Sequence, residues 1–181
     1  MKSIEKNAGR ISKFRIIDYQ NKIDSFKLFT KEKKLLKVNF YLNQLLPQYD
    51  DVTKKQEDYW ATPKEFLILG YGDCEDYAII KYYTLIKLGF DKNKLFLTTA
   101  HEKYRGGYHM VLSYFKSKNE PPLILDNLSF RVLTLKKRKD LEADLFINHN
   151  GIFKLKKNGM LKKIAPSSKK FNNMLYKVSK E

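Results

Sequence analysis

Apolar residues recur at helical spacing through the first 47 residues of the chain. A spacing of three or four residues places them on one face of a helix, which can then be buried against the rest of the protein. The pattern predicts two successive helices, and Pro47 breaks the second. The apolar faces consist of Ile16, Tyr19, Ile23 and Phe26 in the first helix and of Leu35, Val38, Leu42 and Leu45 in the second.

Two further helices are predicted in the middle of the chain. The run Thr62-Pro63-Lys64-Glu65 has the pattern of a capping box with proline at the first helical position, so a short helix is expected over residues 63–69. The next helix is expected to begin around Cys74 and to end at Gly89. Its apolar face consists of Ala78, Ile79, Tyr82, Leu85 and Ile86.

After Gly89 the pattern changes to that of strands. Apolar, β-prone runs at 95–100, 109–115 and 122–125 are bounded by turn residues, and Asn158-Gly159 predicts a last hairpin. Residues 48–58 are polar and are expected to form a loop. Helices followed by strands indicate an α+β fold, with the helix that begins at Cys74 packed on an antiparallel sheet.

Composition and charge narrow the possible classes of protein. The chain has 181 residues, 43% of them hydrophobic, which suffices for one domain with a full core, and its single cysteine allows no disulfide within the chain.

The net charge is +16, and the last 51 residues hold 14 of the 36 basic residues and only four acidic ones. Such a surface attracts an acidic protein segment, anionic lipid headgroups or nucleic acid. The lysines, however, form scattered pairs at hairpin and loop positions and no nucleic-acid-binding motif is present, so nucleic acid is not an expected partner. No stretch of about 18 apolar residues exists, so membrane contact is expected to be peripheral at most.

Cys74 is the only cysteine, and its expected place is the first turn of a helix. There the unpaired backbone N–H groups and the positive end of the helix dipole favour a thiolate, which makes sulfur nucleophilic near neutral pH. The alternative is a small buried apolar residue, because free cysteines are often buried. A catalytic role requires a histidine and a carboxylate as partners.

Two candidate partners lie downstream. His109 begins one predicted strand and Asp126 ends the next, so in antiparallel neighbours imidazole and carboxylate meet at one edge of the sheet. A thiol protease needs this arrangement, because the imidazole accepts the thiol proton and the carboxylate supports the imidazolium. Two alternatives stay open: His109 as a hydrogen-bonded core histidine, and an Asx-turn formed by Asp126 and Asn127. His101 and His149 are weaker candidates for the base, since neither precedes a strong apolar strand.

Four segments in this order, residues 58–67, 70–78, 109–112 and 125–128, resemble the bacterial transglutaminase-like cysteine proteinases. The most specific are Trp-Ala-Thr-Pro-x-Glu at 60–65 and Gly-Asp-Cys-Glu-Asp at 72–76. Within the family the similarity is to the LapG-type periplasmic proteases, which cut the N-terminal region of giant biofilm adhesins. The resemblance implies a papain-like, transglutaminase-like fold with Cys74 as nucleophile, His109 as general base and acid, and Asp126 as orienting carboxylate. We therefore expect a single proteinase domain over residues 1–181, with a helical part at 1–47, a catalytic core at 60–130 and a basic, strand-rich part at 131–181.

The acidic residues around the thiol raise the question of a metal. Asp73, Glu75 and Asp76 crowd three carboxylates around Cys74, and without compensation they would raise the pKa of the thiol. A hard cation such as calcium, which takes several oxygen ligands, would neutralise them. The resemblance implies calcium bound by Asp73 and Glu75. Asn93, in the loop expected after the helix, is a weaker candidate for a further oxygen. The alternatives are structural, because Asp73 suits an N-cap and Asp76 suits the first turn of a helix.

Trp60, the only tryptophan, also has two possible roles. We expect it to be a buried aromatic anchor. The alternative is a wall of the substrate cleft whose indole N–H points toward an oxyanion, although the oxyanion hole is expected to rest chiefly on the backbone N–H of Cys74.

The expected function is that of a calcium-dependent cysteine endopeptidase that cleaves the N-terminal region of a large cell-surface adhesin and so disperses biofilm. The resemblance also implies control by an inner-membrane receptor for cyclic di-GMP and a periplasmic location. Residues 1–10 contain no hydrophobic segment of a signal peptide, so the signal is expected upstream of this sequence, with a cytoplasmic location as the alternative. The alternative functions are acyl transfer to an amine by the same three residues and a catalytically silent module that binds the adhesin or the receptor.

Overall fold

The computed structural model describes residues 2–47, 59–104, 106–118 and 120–181. The loop expected at 48–58 therefore lies outside the described residues. The first helix bends at Gly9, where φ is 81°. The helices within the described residues are α1 (Lys2–Phe26), α2 (Lys31–Leu42), α3 (Pro63–Leu69), α4 (Cys74–Lys87) and α5 (Lys169–Ser179).

A seven-stranded antiparallel sheet forms the second layer, with strand order β6-β5-β4-β3-β7-β8-β9. A separate parallel pair, β1 (Leu46–Pro47) and β2 (Tyr71–Gly72), lies just before α4. The strands of the large sheet are β3 (Leu95–Glu102), β4 (Tyr108–Tyr114), β5 (Leu123–Asp126), β6 (Ser129–Thr134), β7 (Leu141–Asn148), β8 (Gly151–Leu155) and β9 (Leu161–Ala165).

Helix α4 packs on the centre of this sheet, as the helical spacing predicts. Four of its five predicted core residues are at most 2% exposed, and they pack with Met110 and Leu112 of β4 and Leu125 of β5. The fifth, Ile86, is half-buried against the same core. Burying a large aliphatic side chain contributes about 1.5–3 kcal/mol, so this seam fixes α4 relative to β4 and β5. The α+β prediction is confirmed.

The N-terminal helices cover α4 and the β5–β6 turn. Tyr19, Ile23 and Phe26 are buried as predicted, and the hydroxyl of Tyr19 pairs with that of Thr84 on α4 at 2.8 Å. Helix α2 ends at Leu42, so the prediction that it continues through Leu45 is wrong. The chain turns there because Asn43 takes the cap position and its side-chain amide donates to the carbonyl of Asp126 at 2.7 Å. Within the described residues, no helix combines the length and the apolar character needed to cross a membrane.

The C-terminal part contains elements that the sequence pattern did not predict. The hairpin of β8 and β9 around Asn158-Gly159 is confirmed, but β6, β7 and α5 were missed. Phe171 of α5 is fully buried and meets Tyr82 of α4 edge to face, with ring centroids 5.8 Å apart. The strand-rich prediction for residues 131–181 is therefore incomplete, because a helix closes the chain and packs on the core.

Candidate active site

The short helix α3 delivers the cysteine to the start of α4. Its predicted capping box is present: the N–H of Thr62 donates to Glu65 Oε2 at 2.8 Å, and the N–H of Glu65 donates to Thr62 Oγ1 at 3.2 Å. The helix ends at Gly70, whose φ of 82° favours glycine. At this end Arg15 of α1 donates to the carbonyls of Leu67 and Ile68. Both ends of α3 are thus fixed by side chains.

The residues next to Cys74 hold the entry to α4. Asp73 occupies the N-cap position, although its side chain does not form the capping hydrogen bond that the sequence suggests. Asp76 is almost fully buried, and its Oδ1 accepts the N–H of Ala61 at 2.7 Å. A Cβ on Gly72 would approach Asp76 Oδ2 to 2.6 Å, so this close packing requires glycine. Asp76 therefore ties the segment of Trp60 to helix α4, which is a structural role.

His109 and Asp126 meet as their strand positions predict. The strands β4 and β5 are antiparallel, with Leu112 opposite Leu125, and His109 Nε2 lies 2.7 Å from Asp126 Oδ1. Both side chains are buried. The N–H of Leu128 also donates to Asp126 Oδ1 at 2.9 Å, so the turn contact considered as an alternative coexists with the histidine contact. Because Nε2 is engaged with Asp126, Nδ1 is the ring nitrogen left for proton transfer.

The environment of Asp126 keeps it ionised. Burial alone would raise the pKa of this carboxyl group. The hydrogen bond and charge of His109, the N–H of Leu128 and the guanidinium of Arg138 outweigh that effect and hold the pKa of Asp126 well below its usual range. Arg138 Nη2 lies 2.6 Å from Asp126 Oδ2. Nothing in the sequence pattern singled out Arg138.

Cys74 and His109 line the same open cleft, which has a volume of about 480 Å³. The half-buried thiol donates to Glu75 Oε2 at 3.1 Å. Burial first, and then the charge of Glu75 and its hydrogen bond, raise the pKa of Cys74, while the backbone N–H of Met110 opposes the rise. This arrangement favours the protonated thiol over the thiolate. The other residues that line the cleft are Trp60, Thr99, Tyr108, Met110, Ile147, Ser168 and Lys170.

Comparison with known proteins identifies the family of this chain. A family model described as bacterial transglutaminase-like cysteine proteinase matches residues 18–140. The chain belongs to this family. It is similar to the calcium-bound structure of LapG from Legionella pneumophila, with 33% identity over 98% of each chain and a TM-score of 0.85. The EGTA-treated LapG of the same organism gives 34% identity over 97% of this chain and 96% of that chain, with a TM-score of 0.83. No curated protein sequence matches significantly.

The chain is therefore a cysteine proteinase with a transglutaminase-like fold, and the predicted family is confirmed. The matched region ends at residue 140, so the family model includes the segments that carry Cys74, His109 and Asp126 but not α5. In this proteinase α5 nevertheless reaches the cleft through Ser168 and Lys170.

The metal candidates do not all come together. Asp73 and Glu75 flank Cys74 along the chain, and both act on the pKa of its thiol. Asn93 lies beyond the far end of α4, in a turn (Lys92–Lys94) before β3, where its Oδ1 accepts from Asn150. The 14 residues of α4 separate these ends by about 21 Å, whereas calcium holds oxygen ligands at about 2.3–2.6 Å. Asn93 therefore cannot share a cation with the residues beside Cys74.

The two carboxylates next to Cys74 fit part of a calcium site. No group of three or more histidine, cysteine, aspartate or glutamate residues is gathered as a metal site within the described ranges. Calcium accepts backbone carbonyls and water as well as carboxylates, so Asp73 and Glu75 would supply two of its six to eight oxygens. The contact of Glu75 with the thiol places one of these carboxylates directly at the Cys74 sulfur.

Trp60 combines the two roles considered for it. It is buried in the main core cluster, and its ring also lines the cleft beside Cys74. Lys170 of α5 lies over the ring, with Nζ 5.3 Å from the centroid. Within the described residues, the indole Nε1 is buried without a hydrogen-bond partner. The anchoring role is thus confirmed, and the ring is in addition part of the cleft wall.

Proposed function

We propose that this proteinase is a calcium-dependent cysteine endopeptidase with Cys74 as nucleophile, His109 as general base and acid, and Asp126 as orienting carboxylate. One observation carries the proposal. His109 and Asp126 form a buried hydrogen bond of 2.7 Å. His109 lines the same cleft as Cys74, which lies at the start of α4. A thiol, an imidazole and a carboxylate in this order are the parts that acyl transfer requires.

The chemistry follows from the orientation of the histidine. Its Nδ1 accepts the proton of the Cys74 thiol, and the thiolate attacks the scissile carbonyl carbon. The backbone N–H of Cys74, at the start of α4, donates to the oxyanion that forms. The imidazolium, supported by Asp126, then gives its proton to the leaving amine, and a thioester on Cys74 results. Water, deprotonated by Nδ1, hydrolyses this thioester and restores the thiol.

Asp73 and Glu75 would hold the calcium ion. When bound, calcium supplies positive charge that compensates these carboxylates beside the thiol. The reason to expect it is electrostatic, because Glu75 in its contact with Cys74 raises the pKa of the nucleophile and so opposes thiolate formation. Asn93 is left out of the ligand set.

The proposed substrate is the N-terminal region of a large, repeat-rich surface adhesin, whose release disperses biofilm. The support is the similarity to LapG over nearly the whole chain, together with the resemblance to the LapG-type periplasmic proteases. By the same resemblance we propose a periplasmic location and control by an inner-membrane receptor for cyclic di-GMP. The net charge of +16 is suited to an acidic segment of either protein partner.

The test is cleavage of a purified N-terminal adhesin fragment by the full chain, with calcium and with EGTA. We expect a discrete cut in calcium, loss of the cut in EGTA, and no cut by Cys74→Ala or His109→Ala. The matched control is His149→Ala, which changes a histidine in the β7–β8 turn and should leave the cut intact.

Each alternative has its own outcome in the same experiment. An intact fragment after incubation with the wild type in calcium contradicts the endopeptidase proposal, and co-purification without cutting then indicates a binding module. A cut that EGTA does not affect removes only the calcium requirement. Covalent incorporation of a fluorescent primary amine, in place of hydrolysis, identifies an acyl transferase.

A further inference from the structure

A buried ion-pair chain continues from the His109–Asp126 pair away from the cleft. Arg138 follows a short 3₁₀ turn (Leu135–Lys137) after β6, and its side chain is 6% exposed. Its Nη2 lies 2.6 Å from Asp126 Oδ2 and 2.5 Å from Asp140 Oδ2. Its Nε lies 2.9 Å from Asp140 Oδ1 and 3.0 Å from Asp140 Oδ2. Asp140 thus holds the guanidinium through both Nε and Nη2, and Nη2 also donates to Asp126.

We propose that Arg138, fixed by Asp140, is a positioning residue of this proteinase: it holds the Asp126 carboxylate in the orientation that accepts a hydrogen bond from His109. The proposal rests on the function proposed above and adds to it a residue that touches neither substrate nor the reacting atoms.

The two carboxylate oxygens of Asp126 have different hydrogen-bond partners. Oδ1 of Asp126 accepts from both His109 and the N–H of Leu128, whereas Oδ2 has Arg138 as its hydrogen-bond partner. Without the guanidinium, Oδ2 would be a buried, charged oxygen with no donor among the described residues. The carboxylate would gain by rotating to another donor or by taking a proton, and either change weakens its support of His109.

The geometry of the guanidinium explains why arginine stands here. Two of its nitrogens, Nε and Nη2, pair with Asp140 in one plane while Nη2 also reaches Asp126. An ammonium group offers one nitrogen without this fixed plane, so it would hold the Asp126 carboxylate less rigidly. The other charged groups around Asp126 do not replace it. Lys81 approaches from α4 and acts on Asp126 through its charge, but its Nζ makes no hydrogen bond within the described residues. Asp140 holds Arg138 but makes no contact with the histidine.

The kinetic test compares four variants on the adhesin fragment: Arg138→Gln, Arg138→Lys, Asp140→Asn and the control Arg131→Gln. Arg131 is an exposed arginine of β6, so this control removes the same charge without touching Asp126. For Arg138→Gln we expect kcat to fall about 10- to 100-fold with KM nearly unchanged, the size of effect that a displaced catalytic group produces. Arg138→Lys should recover part of kcat, Asp140→Asn should lose less than Arg138→Gln, and Arg131→Gln should match the wild type.

A second readout needs no substrate. In the Cys74→Ala background, the Nε2 proton of His109 hydrogen-bonded to Asp126 should give a proton NMR signal downfield of the amide region. Replacing His101 and His149 in turn assigns it. Arg138→Gln should move or broaden this signal, and Arg131→Gln should leave it unchanged.

The outcomes separate the two proposals. If the wild type does not cut, the proposed function fails while the NMR experiment still decides the role of Arg138. Unchanged kcat in Arg138→Gln overturns the inference, and so does a fall in kcat with an unchanged His109 signal. If Arg138→Gln does not fold, Arg138→Lys and Asp140→Asn decide by the same two readouts, and their equality with Arg131→Gln in both overturns it.

Discussion

Lys81 offers the sharpest test of the electrostatics around the proposed active site. It lies on α4, two turns after Cys74, and its side chain is fully buried. Its Nζ is 5.6 Å from the centre of the Tyr77 ring and makes no hydrogen bond within the described residues. Burial lowers the pKa of Lys81 to about 7, although the charge of Asp126 opposes the shift. The folded protein therefore bears the cost of a buried, poorly solvated amine.

The size and sign of this cost follow from the pKa. In the unfolded chain the lysine keeps its ordinary pKa of 10.5, so between pH 7 and 10.5 the unfolded state binds one more proton than the folded state. Stability then rises with pH by about 1.4 kcal/mol per unit across this window. Below pH 7 both states are protonated and the full cost, roughly 5 kcal/mol, is present. A methionine of similar shape carries no such cost.

We therefore expect Lys81→Met to unfold at higher urea concentration than the wild type at pH 6. The difference in the free energy of unfolding should shrink by about 2–3 kcal/mol between pH 7 and pH 9. Urea titrations at pH 6, 7, 8 and 9, followed by circular dichroism, measure both quantities. The matched control is Lys87→Met, an exposed lysine of the same helix.

Each variant is compared with the wild type at the same pH, so the contribution of groups that titrate elsewhere in the protein cancels from the difference in the free energy of unfolding. A difference between Lys81→Met and the wild type that stays constant from pH 6 to pH 9 would refute the reasoning, because a depressed pKa must appear as a slope. The same slope in Lys87→Met would also refute it, because burial would then not be the cause.

A single substitution at each of three other positions tests a further prediction. Asp126→Asn should lower stability at pH 7. The loss should begin to shrink as pH falls below about 4, the pKa of the unfolded carboxyl group, and should vanish only near the much lower pKa of the folded one. Urea titrations at pH 7 and pH 3 should therefore show a smaller loss at pH 3 that has not yet vanished. Gly72→Ala should reduce adhesin cleavage, since its Cβ would collide with Asp76. In Gly159→Ala the Cβ meets no neighbour, and although the φ of 82° strains the β8–β9 hairpin locally, cleavage should be unchanged. Phe171→Ala should cost about 3–5 kcal/mol in urea unfolding, and Tyr176→Ala, an exposed residue of the same helix, less than about 0.5 kcal/mol.

The elements around Cys74 were predictable because their determinants are local. The capping box of Thr62 and Glu65, the stop at Gly70 and the apolar face of α4 each lie within one helix or turn. The meeting of His109 and Asp126 needed only one non-local assumption, that two successive strands pair in antiparallel fashion. Consecutive strands usually do so, and the position of each residue at a strand end then places the two side chains together.

Two features that escaped prediction differ in kind. Helix α5 has local signals that the prediction overlooked, because Phe171, Met174, Leu175 and Val178 recur at helical spacing after the N-cap Ser168. Its contacts with Tyr82 and the Trp60 segment confirm which face is buried. Arg138, in contrast, depends on distant partners. Arg138 stands in the basic run 136–139, where its neighbours are exposed. Nothing local distinguishes it, because its burial results from where β6 returns beside Asp126.

The groups around the two ends of the proposed triad carry opposite charges: basic side chains lie near Asp126 and acidic side chains lie beside Cys74. This difference indicates at which end a change of charge affects the reaction. Arg138 donates to Asp126 and Lys81 acts on it through its charge, and the pKa of the Asp126 carboxyl group lies well below its usual range, so it is ionised near neutral pH. Asp73 and Glu75 surround Cys74, whose thiol stays protonated while Glu75 faces it. The basic groups near Asp126 therefore oppose its protonation. Compensating the charge of Glu75, in contrast, directly lowers the pKa of the Cys74 thiol. The proposed calcium requirement acts at the end of the triad where electrostatic compensation has an effect.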